Sequence, residues 1–153
     1  MPVVDLADLP PQGALFGLDL GEKTIGVGVS DSTRLIASPL ELIRKSKFTT
    51  EAERLFRLMD ERRAAGVVIG LPVNMDGTEG PRCQSNRAFA RNLIRLRDVP
   101  IAFWDERMSS MAVNRMLIDE ADVTRARRAE LVDKAAAAWI LQGALDRLRN
   151  LPG

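Results

Sequence analysis

Three acidic residues are the strongest candidates for chemistry, because each falls where a predicted element begins or ends. Asp19 lies at the end of the apolar run Ala14–Leu20, Glu106 follows the run Val99–Trp104, and Asp133 lies in the first turn of a C-terminal helix. Strand ends and a helix N-terminus can converge in one crevice of an open α/β sheet. Converging carboxylates repel one another unless a cation lies between them, and oxygen ligands suit Mg²⁺ or Mn²⁺. The sequence therefore predicts a divalent metal site.

The composition excludes most other catalytic machinery. The 153 residues include no histidine, which excludes a Ser-His-Asp triad, a Cys-His pair and a His-ligated zinc site. The single cysteine, Cys83, can form neither an internal disulfide nor a cysteine metal cluster, which favours a reducing cytoplasm. Without a histidine base, we expect metal coordination to deprotonate the attacking water. Two ions about 3.5–4 Å apart would also stabilise the leaving oxygen of a phosphodiester.

The net charge of +1 conceals a bias towards arginine. Of the 22 basic residues, 18 are arginine and 4 are lysine. Arginine binds phosphate with two parallel hydrogen bonds, so this excess favours a phosphate-bearing partner, although a GC-rich genome explains it equally well. The sequence contains no signal-like segment and no apolar run of about 18 residues, so we expect no association with a membrane.

The patterning predicts one α/β domain over residues 13–150, preceded by a disordered leader over residues 1–12 that contains three prolines. Periodicity and turn residues predict the order β-β-β-α-β-α-β-α-α. This order implies a mixed five-stranded sheet flanked by helices, as in the ribonuclease H-like fold. The predicted strands are Ala14–Leu20, Thr24–Ser30, Leu35–Ile43, Val67–Gly70 and Val99–Trp104, and the predicted helices are 51–65, 82–97, Ser109–Glu120 and about Glu130–Leu148.

Candidate groups for binding nucleic acid cluster around one loop. Gly70–Gly80 is rich in glycines and backbone N–H groups that can approach a phosphate. In this loop Asn74 can donate a hydrogen bond, and Asp76 can support the turn, although a purely structural turn is equally consistent. Arg107 either orients Glu106 or contacts the phosphate. The other candidate phosphate ligands are Arg82 and Arg87 just beyond this loop, and Arg125, Arg127 and Arg128 in a basic stretch that precedes the last helix.

Four motifs in order resemble the YqgF/RuvX family over most of the chain, from about Ala14 to Leu148. They are Gly17–Gly21 with Thr24–Val27, then Gly70–Gly80, then Asp105–Arg107, and last Val132–Ala136. Members of the family are described as Holliday junction resolvases and as nucleases that mature the precursor of 16S ribosomal RNA.

The resemblance implies a ribonuclease H-like nuclease whose catalytic, metal-binding acids are Asp19, Glu106 and Asp133. It implies Mg²⁺ or Mn²⁺ as cofactor and structured RNA or branched DNA as substrate. Processing of the 5′ end of pre-16S ribosomal RNA is the favoured role, with resolution of Holliday junctions as the alternative.

Two further readings stay open at this stage. Asp19–Gly21 followed by Thr24–Gly26 also resembles the phosphate hairpin of actin-like ATPases and sugar kinases, but those proteins need a second similar domain, and the motif is not duplicated. A nucleic-acid-binding factor with vestigial carboxylates is the other alternative. The sequence leaves the choice between monomer and homodimer undecided.

Overall fold

The computed structural model describes residues 3–108 and 125–151, and the side chains from residue 135 onwards in the second range. The predicted helix Ser109–Glu120 lies outside these residues. The described strands are β1 (Ala14–Leu20), β2 (Thr24–Ser30), β3 (Ala37–Arg44), β4 (Ala64–Leu71) and β5 (Ile101–Asp105). The described α-helices are α1 (Phe48–Arg62), α2 (Pro81–Leu96) and α3 (Arg125–Arg149).

The five strands form one mixed sheet in the order β3-β2-β1-β4-β5. β1, β2 and β3 pair antiparallel, and the Gly21 N–H closes the first hairpin by donating to the Thr24 carbonyl. β1, β4 and β5 pair parallel, with Leu18 opposite Ile69 and Ile69 opposite Phe103. The carboxyl ends of these three strands therefore meet at one edge of the sheet. The predicted mixed sheet is confirmed.

The sheet is covered on both faces, and the alternation along each strand sorts its side chains between two cores. Phe16, Leu18 and Leu20 belong to a core that includes residues of α1 and α2. Leu15 belongs to the opposite core, which includes α3. Successive strand residues point to opposite faces, so one seven-residue strand serves both cores.

Close approach of α3 to the sheet depends on glycines in the central strands. A Cβ atom at Gly17 would lie 2.6 Å from the Leu141 Cβ and 2.8 Å from the Ala137 carbonyl oxygen. A Cβ at Gly28, the residue opposite Gly17, would lie 3.0 Å from the Ala138 backbone nitrogen. Any side chain at these positions would push the helix away from the sheet.

The boundaries of two helices differ from those predicted. α1 ends at Arg62, and Arg63 follows in the left-handed conformation at φ 54°, so Gly66 lies inside β4 and does not end the helix. α3 begins at Arg125, about five residues before the predicted start. Residues 125–129, which precede the predicted start of this helix, are arginine and alanine, and both have high helix propensity.

The N-terminal leader packs against the domain, in contrast to the predicted disorder. Val3 forms a parallel bridge with Ile101, and the Val4 N–H donates to the Ile101 carbonyl. Leu9 is buried in the core under α3. The leader thus covers the outer edge of β5, which provides unpaired backbone groups. The sequence did not predict this packing, because the leader contains three prolines and a short irregular segment that pairs with a strand edge has no periodicity.

None of the described helices is both long enough and apolar enough to cross a lipid bilayer.

Candidate active site

The carboxyl edge of β1, β4 and β5 is where the sheet positions two of the predicted acids. Gly17 faces α3, so Asp19, two residues further along β1, lies on the same face of the sheet. Asp19 is half-buried and lies opposite Gly26 of β2. The Asp19 side chain therefore lies on the face of the sheet that α3 covers.

Glu106 reaches the same face from the end of β5. It begins a short 3-10 turn, Glu106–Met108, directly after the strand. A Cβ atom at Gly70 would lie 3.1 Å from the Glu106 Oε2 and 2.6 Å from the Ile140 Cδ1 of α3. The Glu106 carboxylate thus lies close to Gly70, between the sheet and the helix, and a side chain at position 70 would displace both this carboxylate and the Ile140 side chain.

Gly70 separates the two acids across the sheet. Leu18 pairs with Ile69, so the next residues along the two parallel strands, Asp19 and Gly70, are neighbours. Asp19 and Glu106 therefore flank the end of β4 from its two sides, on the face covered by α3. The structure brings these two predicted acids together.

Asp133 lies on α3, four residues before Ala137, whose carbonyl oxygen borders Gly17. Because α3 begins at Arg125, Asp133 falls two turns inside the helix, and the prediction that it lies in the first turn is wrong. Its side chain lies outside the described residues. Among the described side chains, no three acidic or sulfur ligands cluster closely enough to hold a metal ion by themselves.

The Gly70–Gly80 loop is shaped by its own hydrogen bonds. The Thr78 N–H and hydroxyl both donate to Asp76 Oδ1, at 3.0 and 2.6 Å, which holds the pKa of the Asp76 carboxyl below its usual value. Asp76 therefore supports this turn, as the sequence predicted. The Asn74 side-chain amide donates to the Thr78 hydroxyl at 2.9 Å, so in this structure Asn74 supports the turn.

Arg107 ties this loop to the end of β5. Its guanidinium donates to both oxygens of Asp105, and its backbone N–H donates to Asp105 Oδ1 at 2.9 Å. The Nη1 atom donates to the carbonyl of Met75 at 3.4 Å. Hydrogen bonds from Arg107 hold the pKa of Asp105 below its usual value. These contacts fix the turn in which Glu106 lies.

Arg87 and Arg82 connect α2 to the same edge. Arg87 donates twice to Glu79, at 2.7 Å each, and its guanidinium lies 4.8 Å from the centre of the Phe103 ring. Arg82 is exposed, and its Nη2 lies 3.5 Å from the Leu20 carbonyl. Arg87 is thus held by contacts with Glu79 and Phe103, whereas Arg82 is exposed beside β1.

The other predicted phosphate ligands, Arg125, Arg127 and Arg128, lie in the first turn of α3. They are therefore helical, whereas the sequence predicted a connection before the helix. Their side chains lie outside the described residues, so their proposed contacts with nucleic acid stay predictions.

Sequence reasoning missed three residues that build this edge. Asn86 of α2 is buried and donates from Nδ2 to the Gly70 carbonyl at 2.8 Å. Asp105 and Glu79 anchor Arg107 and Arg87. One signal was available for Asn86, because it is a polar residue at helical spacing between Cys83 and Ala90 on the buried face of α2.

Comparison with known proteins gives relatives along almost the whole chain. The protein described as "Putative pre-16S rRNA nuclease" from Phenylobacterium zucineum is 77% identical over 99% of this chain and 100% of its own length. Proteins with the same description from Caulobacter vibrioides and Rhodospirillum rubrum are 65% and 60% identical, over 99% and 97% of this chain and 100% and 94% of theirs.

Solved structures confirm the fold. A Thermus thermophilus RuvC structure in complex with a Holliday junction substrate matches 90% of this chain and 96% of its own, with a TM-score of 0.57 and 14% identity. A second RuvC structure from that organism covers 88% of this chain and 95% of its own, with a TM-score of 0.50 and 15% identity. The family model RuvX, described as Holliday junction resolvase, matches residues 13–147. The chain therefore belongs to the RuvX family of nucleases.

Proposed function

We propose that the protein is a metal-dependent nuclease that hydrolyses phosphodiester bonds in structured nucleic acid, with processing of the 5′ end of pre-16S ribosomal RNA as its role. The observation that carries the chemistry is the placement of Asp19 and Glu106 on either side of Gly70, on one face of the sheet. The cellular role is supported by the descriptions of relatives up to 77% identical.

We propose Asp133 as the third acid of this site. α3 runs back along β1, since Ala137 and Leu141 border Gly17 while Leu145 shares a core with Leu15. Asp19 lies two residues beyond Gly17, about 6.6 Å along the strand. Position 133 lies one turn before Ala137, about 6 Å along the helix. Strand and helix thus carry Asp19 and Asp133 in the same direction by a similar distance.

The donor set fits Mg²⁺ or Mn²⁺, because it consists of carboxylates close to a sheet edge and includes no described histidine or thiolate ligand. When bound, one or two such ions would polarise the phosphoryl oxygen and lower the pKa of water. The ligands would be Asp19, Glu106 and Asp133. Asp105 and Arg107, the residues before and after Glu106, would hold it in position through the hydrogen bonds that join them.

Phosphate contacts outside the reacting centre would come from the accessible basic groups. Arg82 lies beside the end of β1, and we propose Arg125, Arg127 and Arg128 as additional contacts at the start of α3. Such contacts position the backbone and do not read sequence. Arg87 would first have to leave Glu79, so we expect it to contribute less than Arg82.

Cleavage of branched DNA is the second candidate, because the family model is described as a Holliday junction resolvase. Both activities use the same carboxylate chemistry and differ only in the substrate. We place the protein in the cytoplasm with the ribosomal RNA precursor. The other alternative is a factor that binds nucleic acid without cleaving it, and a cleavage assay distinguishes it from the RNA and DNA nucleases.

The test is a cleavage assay with purified protein on a pre-16S RNA fragment and a four-way DNA junction, side by side. We expect cleavage with Mg²⁺ or Mn²⁺, loss of cleavage in excess EDTA, and recovery on adding the metal back. Preference for the RNA supports the ribosomal role, and preference for the junction supports the alternative. Cleavage that persists in EDTA, or no cleavage of either substrate with metal, would overturn the proposed chemistry.

A further inference from the structure

Two methionine side chains project into solvent beside the candidate active site. Met75, in the Gly70–Gly80 loop, is 88% exposed, and Met108, at the end of the turn that Glu106 begins, is 69% exposed. Arg107 precedes Met108 and donates from Nη1 to the Met75 carbonyl at 3.4 Å, so one hydrogen bond joins the two segments that carry these methionines. We call this pair of exposed side chains, Met75 and Met108, the methionine rim.

The backbone that carries Met75 is held in place. The Gly77 N–H donates to the Asn74 carbonyl at 2.8 Å, and the Asn74 N–H donates to the Thr78 carbonyl at 2.9 Å. Arg107 fixes the same segment from the side of β5. A rigid turn therefore holds an apolar side chain in water beside a catalytic edge, where it gains nothing from packing inside the protein. Apolar residues scattered singly over a surface are common, whereas apolar groups on joined segments at the rim of a binding edge can provide a contact for a partner.

The chemistry of nucleic acid limits what this contact can be. Phosphates and sugars offer charged and polar groups, whereas the faces of the bases are the main apolar surface. In a continuous duplex those faces are stacked and covered. Methionine is a polarizable side chain that packs favourably on aromatic rings, and it is among the apolar side chains that insert between base steps.

Aromatic side chains near this edge are already engaged within the protein. Phe103 lies under the Arg87 guanidinium, and Phe89 packs edge-on against Phe48 at 5.4 Å between ring centres. In the described part of the chain, the methionine rim is thus the exposed apolar group next to Glu106. We infer that the methionine rim packs on an unstacked base beside the scissile phosphate. The preferred substrate is then a duplex interrupted by an unpaired nucleotide, an inference that rests on the proposed function.

The experiment measures binding and cleavage separately. An RNA hairpin carrying 2-aminopurine as an unpaired nucleotide is compared with the same hairpin in which that nucleotide is paired, and a DNA version tests whether the sugar matters. Binding is followed by 2-aminopurine fluorescence in EDTA, where no metal-dependent cleavage occurs. We expect wild-type protein to bind the interrupted hairpin roughly tenfold more tightly than the paired one, with a fluorescence change on the interrupted hairpin.

Three variants sharpen the comparison. Met75→Ser with Met108→Ser should remove the preference and the fluorescence change, and Met75→Leu should keep both because it retains an apolar side chain. Leu96→Ser is the matched control: Leu96 is 54% exposed at the far end of α2, so the preference should survive. Thermal denaturation of every variant checks folding. Only variants that fold enter the comparison. If the double variant does not fold, the single variant Met75→Ser is used in its place.

The two failures are distinguishable. Equal affinity of wild-type protein for both hairpins, or a preference that survives the serine variants, would overturn the role of the methionine rim while leaving the nuclease proposal intact. A methionine-dependent preference without cleavage in Mg²⁺ or Mn²⁺ would instead support the rim and overturn the nuclease proposal.

Discussion

Acidic side chains have different roles at the two ends of the sheet. At the end where β1, β4 and β5 finish, Asp19 and Glu106 flank Gly70 beneath α3. At the opposite end, Asp31 accepts hydrogen bonds from the backbone N–H groups of Leu35 and Ile36 and closes the connection between β2 and β3. Among the described residues, one end therefore brings two acids together beneath α3, and at the other end the acid shapes a turn.

Arginine shows the same division. Arg107 fixes a turn that carries exposed methionine at the candidate active site. At the opposite end Arg34 donates from Nε to the Gly13 carbonyl, and its partial burial lowers the pKa of its guanidinium. The type of residue therefore does not reveal its task. In the described part of the chain, the difference lies in what each guanidinium holds, which is the turn after β5 for Arg107 and the residue before β1 for Arg34. Substitutions at matched positions can test the roles of the two ends.

The largest effect should come from exchanging an acid for its amide at each end. Asp19→Asn should lower the cleavage rate by about 10²–10⁴-fold while the domain stays folded, because a metal ligand contributes several kcal/mol to stabilising the transition state. Asp31→Asn should keep the activity and lower the melting temperature. Cleavage kinetics and thermal denaturation of both variants measure this. Near wild-type cleavage by Asp19→Asn would remove it from the site.

A second pair compares two glycines of β4. Gly70→Ala would place a Cβ 3.1 Å from the Glu106 Oε2, so we expect cleavage to fall by about 10–100-fold as the carboxylate shifts. Gly66→Ala, at the other end of the strand, meets Leu9 Cδ2 at 3.2 Å and the Pro100 carbonyl at 3.3 Å. It should cost about 1–2 kcal/mol of stability, from overpacking, and leave the activity per folded molecule unchanged. Equal activity losses in both variants would contradict the comparison.

Acid should affect the turn at Asp31 in a defined range of pH. The hydrogen bonds from the Ile36 N–H, the Thr33 hydroxyl and the Leu35 N–H lower the pKa of Asp31 to about 2. Because the folded pKa lies below the unfolded value of 3.8, its contribution is complete above pH 4 and disappears as the pH falls towards 2. In urea denaturation, the difference in free energy of unfolding between wild type and Asp31→Asn should therefore shrink as the pH falls over that range. A gap that stays constant with pH would contradict this assignment.

The smallest expected effect concerns Arg63, which connects α1 to the start of β4, away from the candidate active site. It occupies the left-handed region at φ 54° immediately after the helix, where glycine is favoured. Arg63→Gly should raise the free energy of unfolding by about 0.5–1 kcal/mol with no change in cleavage. Arg62→Gly, one residue earlier and inside the helix, should lower it by about 1 kcal/mol. Urea denaturation distinguishes them, and two changes of the same sign would show that the backbone conformation is not the cause.

Local patterning was enough to predict much of the fold. Two short β-prone runs joined by a Gly-containing turn predicted β1 and β2 with their observed bounds, and the order of elements predicted the mixed sheet. The placement of Asp19 and Glu106 at one edge also followed from the sequence, because parallel strands end on the same side. Helix starts were less well predicted, as at α3, because residues 125–130 have helix-forming side chains but no apolar stripe before the core contacts begin.

Residue types and their order were enough to predict a carboxylate site, since the sequence has no histidine and its acids fall at the ends of predicted elements. Tertiary structure decided which groups would frame that site. Asn86 reaches Gly70, Arg87 is drawn to Glu79, and the leader packs along β5 through contacts between residues far apart in the chain. Such pairings depend on how closely helices and strands pack in space, and no local pattern of the sequence records that distance.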